Sequence, residues 1–175
     1  MTILLEVLKK EKIDDLAEFK IVEKIAIELE IFLNQELIQE KITFTHKLHA
    51  KSSEIQEILI EKATELGFQS ERKGLFENYF NKALRPDYYK VLGPKSGIIM
   101  EVERGKTTIN NMDLLDIWKC HICENANYLF LIIPKVRQNN RGGKSQTFNI
   151  VHNRLKSFFI NQNYINIDAV FLFGY

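Results

Sequence analysis

Residues 85–106, RPDYYKVLGPKSGIIMEVERGK, constrain the fold more than any other stretch of the chain. Gly93, Pro94 and Gly97 separate two runs rich in Tyr, Val and Ile, the signature of two antiparallel strands joined by a turn. A turn centred near Lys95 sets Asp87 opposite Glu103 and Tyr89 opposite Glu101. Alternation along the second strand then sends Ile98, Met100 and Val102 into a core, and sends Glu101 and Glu103 to the side shared with Asp87. Three carboxylates are expected on one small surface. Such acids repel, and each is expensive to keep ionised in a half-buried strand unless a cation is present. Carboxylate oxygens completed by water and substrate phosphate suit Mg²⁺ or Mn²⁺, and no His and Cys set points to Zn²⁺.

A chain of 175 residues with 45% hydrophobic and 27% charged residues has the balance of a globular protein with a real core. No apolar run approaches the roughly 20 residues that cross a bilayer, and the first residues, with Lys9, Lys10 and Glu11, lack a cleavage region. The expected compartment is the cytoplasm. Cys120 and Cys123, three apart on a helical segment, read as small buried side chains in a reduced protein rather than as a disulfide framework. Charge is unevenly spread. Residues 1–65 carry 14 acids and 9 bases, whereas 66–175 carry 9 acids and 15 bases. Between Glu124 and Asp168 there is no acid at all, while Lys135, Arg137, Arg141, Lys144, Arg154 and Lys156 fall there. That is the electrostatic footprint of phosphate-backbone contacts, and equally of a solvated basic face.

Along the chain, apolar residues from Leu4 to Phe32 recur at helical intervals with no Pro or Gly between them, which predicts a helical N-terminal arm over residues 3–40. The arm, 1–48, would pack on its own core or form a dimer interface, and 49–175 would be the domain proper. Ser52 and Ser53 cap a helix that Gly67 ends. FQSERKGLF reads as a first strand, followed by the Asp87 and Glu101 strands and a helix over 110–124 packed by Leu114, Leu115, Ile117 and Trp118. YLFLIIP is a fully buried strand stopped by Pro134. Then come a basic loop, KVRQNNRGGK, a helix over 149–162 with Val151, Leu155, Phe158 and Phe159 inward, and a closing strand AVFLF.

Pro86-Asp87 followed fourteen residues on by Glu101-Val102-Glu103, set in a helix, three strands, helix, strand succession over 52–134, resembles the PD-(D/E)xK nuclease superfamily. The resemblance implies a restriction endonuclease-like α/β core, a central mixed sheet flanked by helices. It implies a Mg²⁺-dependent DNA endonuclease of restriction type, homodimeric if it cuts both strands. The alternative is a catalytically inactive nucleic-acid-binding protein that retains the nuclease fold. Asp87 and Glu101 would be metal ligands, joined by Glu54 of the first helix, with Glu57 as competitor. The family generally has lysine where this chain has Glu103. Glu103 would then bind metal or act as base on water, or Lys106 would reach the phosphate in the missing lysine's place. Lys119 and His121, on the following helix, are candidates to face substrate. Arg104, Lys135, Arg137, Asn140, Arg141 and Lys144 are the candidate DNA contacts, the Asn and Arg side chains having groups suited to base edges. No glycine-rich ATP loop is present, so no motor is expected within the chain.

Overall fold

A computed structural model describes residues 2–47, 51–70, 74–82, 84–104, 107–138, 142–161 and 163–175. Six strands form one mixed sheet: β1 (Leu4–Lys9), β2 (Gln69–Ser70), β3 (Tyr88–Gly93), β4 (Ser96–Val102), β5 (Tyr128–Ile133) and, by its place in the sheet, the strand Ala169–Gly174. Two short strands, β6 (Arg137–Gln138) and β7 (Lys144–Ser145), pair with each other as a separate ribbon, which makes the last strand β8. The order across the large sheet is β1-β8-β5-β4-β3-β2. Its middle, β8-β5-β4, is parallel, and β1, β3 and β2 flank it antiparallel.

Strands β5 and β8 are buried at every residue, as their unbroken apolar runs require, because helices cover both faces of the sheet. Helices α1 (Ala17–Leu33), α2 (Glu36–Thr45) and α3 (Ser52–Glu65) pack on the face that presents Met100, Val102, Phe130 and Phe171. Helices α4 (Met112–Ile122) and α5 (Thr147–Lys156) cover the other, against Ile99, Leu129, Leu131 and Leu172. The expected succession of helix, three strands, helix and strand is therefore present as α3-β2-β3-β4-α4-β5. Among the described residues, no helix is long and apolar enough to cross a membrane.

Several local expectations are corrected. Residues 4–9, expected as the start of a helical arm, are strand β1, paired residue for residue with β8 from Leu4 with Gly174 to Lys9 with Ala169. Leu4, Val7 and Leu8 satisfy helical and extended patterns alike, and the exposed edge of β8 decides between them. The helical expectation holds from Ala17 onward, and α1 lays Phe19, Val22, Ala26 and Leu29 into the core. The FQSERKGLF strand shrinks to Gln69–Ser70, with residues 71–73 outside the described part. Trp118 and Leu115, expected in packing, are 47% and 39% exposed on the outer side of α4.

The hairpin register also moves by two residues. Tyr88 faces Met100 and Tyr89 faces Ile99, so Asp87 lies beside Glu101 rather than Glu103. Gly93 pairs with Ser96 around a tight Pro94-Lys95 turn in which Lys95 takes a left-handed φ of 57°, and the register slips between Val91 and Gly93. A shift of two preserves the faces, so the acids still share one side.

Phe130 sits at the centre of the larger core, its ring 6.0 Å from Phe68, 5.1 Å from Phe171 and 5.4 Å from Phe173. Phe130→Ala is expected to cost about 3–5 kcal/mol in urea unfolding. A loss below about 1 kcal/mol would contradict this packing.

Candidate active site

The carboxyl ends of parallel strands β4, β5 and β8 lie along one edge of the sheet, and antiparallel β3 begins there. Crevices at such ends are where α/β sheets ordinarily bind ligands. Asp87 leads into β3 at this edge behind the buried Pro86, Glu101 lies at the end of β4 and Glu103 just follows it. Asp87 and Glu101 are locked by reciprocal bonds. The Asp87 N–H donates to Glu101 Oε2 at 3.2 Å, and Asp87 Oδ2 accepts the Val102 N–H at 2.8 Å.

Opposite them stands α4. Its buried face carries Asp113, Asp116 and Lys119 at three-residue spacing together with Ile117 and Cys120. Lys119 Nζ donates to Glu101 Oε1 at 2.5 Å and lies 3.4 Å from Asp116 Oδ1. The side chains of Lys119 and Glu101 are 9% and 5% exposed, so this pair is sheltered from water. Arg154 of α5 lies 3.4 Å from Asp113 and donates to Asn111 Oδ1, tying α5 to the start of α4.

Burial is the main force on these groups. It pushes Glu101 and Asp116 well above the ordinary carboxylate range, with Lys119 opposing in both and neighbouring acids adding, Asp116 and Asp87 at Glu101, Glu103 and Asp87 at Asp116. Glu103 is pushed up to about 7 by burial and then by Asp87 and Glu101. Burial alone would lower Lys119, but Glu101 and Asp116 outweigh it and raise the ammonium above its usual value. The main chain of Glu103 is held on both sides: its N–H donates to Ile132 O at 2.8 Å and its carbonyl accepts the Tyr175 hydroxyl at 3.0 Å.

Asp87, Glu101 and Glu103 are thus brought together, and Lys119 joins them. Glu54 is not brought to them. It is exposed at the start of α3, its side chain accepts the Lys51 N–H at 3.2 Å, and α3 packs on the sheet face opposite Glu101. Glu57, its competitor, is exposed on the same helix. Lys106, Asn140 and Arg141 lie outside the described residues. Arg104 is 7% exposed, and its charge acts on Tyr175 and His46 in the interior rather than on an open surface. Lys135 donates to Thr2 O at 2.5 Å, Arg137 is half-buried on β6, and Lys144 is exposed on β7. Lys135 leaves β5 at the same sheet edge as the acids, and Arg137 and Lys144 belong to the ribbon that comes after it. His121 accepts the Asn166 N–H through Nδ1 and faces Tyr164, away from Glu101.

Among the described residues, no three Asp, Glu, His or Cys side chains are grouped so that they could hold a metal ion. The oxygen donors of Asp87 and Glu101 nevertheless suit a hard cation, since Mg²⁺ is ordinarily carried by one or two carboxylates with water and substrate phosphate. Asp116 is the member that motif spacing does not single out. The available signal is charge at positions 113, 116 and 119 on the side of α4 that also carries its apolar residues.

No family model and no curated protein matches the chain. Among solved structures it is similar to the restriction endonuclease BglII complexed with a DNA 16-mer. The TM-score is 0.48 with 10% identity, over 99% of this chain and 78% of that one.

The raised value of Glu103 has a consequence for stability. A carboxyl that holds its proton more tightly folded than unfolded contributes stability that is fully present below the unfolded value and is lost as pH rises through the folded one. For Glu103 that window runs from 4.5 to about 7. Across it, the decline in urea-unfolding free energy should be smaller in Glu103→Gln than in the wild type. Equal slopes would show that Glu103 is not perturbed in this way.

Proposed function

We propose that this protein hydrolyses phosphodiester bonds in DNA, with Asp87, Glu101 and Lys119 as its working groups. The observation that carries the reading is the Lys119 ammonium, delivered from α4 to 2.5 Å from Glu101 Oε1 beside Asp87. It supports placing the acid, acid and lysine functions of the PD-(D/E)xK pattern on one surface, although position 103 is glutamate. In this proposal Lys119 replaces the motif lysine, and Lys106 is not required.

The chemistry is in-line attack of water on the phosphorus, with the new P–O bond forming as the bond from phosphorus to the 3′ oxygen breaks, and the departing 3′ oxygen taking a proton from solvent to leave a 3′-hydroxyl and a 5′-phosphate. Lys119 would leave Glu101 for a non-bridging phosphate oxygen and steady the charge that develops there. Glu103, beside these groups, would orient the attacking water and take its proton. Asp87 and Glu101 would hold Mg²⁺ or Mn²⁺, which supplies further neutralisation of the phosphoryl charge. Lys135, at the same sheet edge, and Arg137 and Lys144, on the ribbon that comes after it, would lie along the phosphate backbone, and two copies of the chain would be needed to cut both strands at once.

A second reading, DNA binding without hydrolysis, is favoured by one observation: both Glu101 oxygens are already engaged, by Lys119 and by the Asp87 N–H.

Cleavage of supercoiled plasmid and of short duplexes, with Mg²⁺, Mn²⁺ or EDTA, separates the two. Metal-dependent cutting is expected, falling at least about 100-fold in Asp87→Ala and in Lys119→Met. DNA that is bound but never cut would overturn the hydrolytic reading and select the second. In parallel, Arg137→Ala and Lys144→Ala should weaken binding to all sequences alike, each lowering the salt slope by about one. An unchanged slope would remove the ribbon from the DNA path.

A further inference from the structure

The proposed reaction uses Lys119 but gives Asp116 no task, and the structure makes that residue conspicuous. Asp116 is 1% exposed, one turn before Lys119 on the same helix. Its Oδ1 lies 3.4 Å from Lys119 Nζ, and its Oδ2 is buried without a hydrogen-bond partner among the described residues. A carboxylate buried half-satisfied weakens a fold, and Asn or an apolar side chain would serve packing better. Its presence at this point therefore calls for a role beyond packing.

A lysine stem has four rotatable carbons, and one contact leaves its ammonium free to swing about that point. Here the ammonium has two anchors of unequal length, Glu101 from the sheet at 2.5 Å and Asp116 from its own helix at 3.4 Å. We propose that Asp116 is a positioning residue. It keeps the Lys119 ammonium aimed at the sheet edge, and remains as its tether when the ammonium exchanges Glu101 for a phosphate oxygen. Asp116 itself touches no substrate. The catalytic part of this inference rests on the reading of Lys119 given above, whereas the tether is a property of the free protein.

Two measurements test it. In a ¹⁵N–¹H spectrum of lysine ammonium groups, a buried ammonium with two anchors should exchange slowly with water and give a resolved signal. Lys119→Met assigns that signal by deleting it. In Asp116→Asn the signal should broaden or vanish while the backbone spectrum keeps its dispersion. In Asp116→Glu it should persist at a shifted position. In DNA cleavage, Asp116→Asn should lower kcat about tenfold or more with KM little changed, and Asp116→Glu should recover part of the loss.

A Lys119 signal unmoved in both variants overturns the tether. So does an unaltered kcat in a protein that cuts DNA. Should Asp116→Asn fail to fold, Asp116→Glu alone decides, because lengthening the tether must move the signal. If wild type cuts no DNA but the Lys119 signal still depends on Asp116, the tether stands and the hydrolytic reading falls.

Discussion

A carboxylate in the line of a wholly buried strand is the constraint around which this molecule is arranged. Every residue of β4 from Ser96 to Val102 is buried, and Glu101 is among them. Such a group needs a cation and hydrogen-bond donors brought to it by the protein. Lys119 must therefore lie on the face of α4 that meets the sheet, although lysine normally belongs on the outside of a helix. Asp87 must start its strand beside Glu101, so that one main-chain N–H can serve the second oxygen. The positions of α4 and β3 relative to β4 are thus tied to the ionic needs of one side chain as much as to apolar packing.

The parallel middle of the sheet gives that cluster its surroundings. With β4, β5 and β8 running the same way, whatever follows each strand emerges at one edge. Glu103 follows β4, Lys135 and Arg137 follow β5, and Tyr175 follows β8. Acidic and basic residues far apart in sequence meet there because of strand direction. His46, at the end of α2, completes the edge with a contact to Val136 O and an edge-on approach to the Tyr175 ring.

Much of this was legible in the residues. The apolar runs at 128–133 and 169–174 predict buried strands, and the spacing of Asp87, Glu101 and Glu103 predicts acids on a common face. What escaped was non-local. Whether Leu4–Lys9 coils or extends depends on an open strand edge formed by residues 169–174, which six residues cannot announce. The hairpin register turned on one slip between Val91 and Gly93. Lys119 was visible as a charged residue on the following helix, but its partner was not. Ion pairs between a helix and a strand depend on how the helix is rotated, and periodicity sets that only to within about a residue. Glu54 differs for another reason: its helix lies where the residues predict, and its side chain turns back to its own first turn.

The seat of β8 bears on how the chain comes to be folded. Residues 169–174 fill the gap between β1 and β5, so among the described residues the first strand is joined to the sheet through the last one alone. Pairings across such distances form late, after a long loop has been closed. A nascent chain that has reached Ile122 contains β3, β4 and α4, yet the sheet is split until its missing middle arrives. The first strand of the chain therefore joins the sheet only after the last one has been seated, and a copy lacking residues 169–174 would leave β1 with no strand edge to pair with and β5 with one side open.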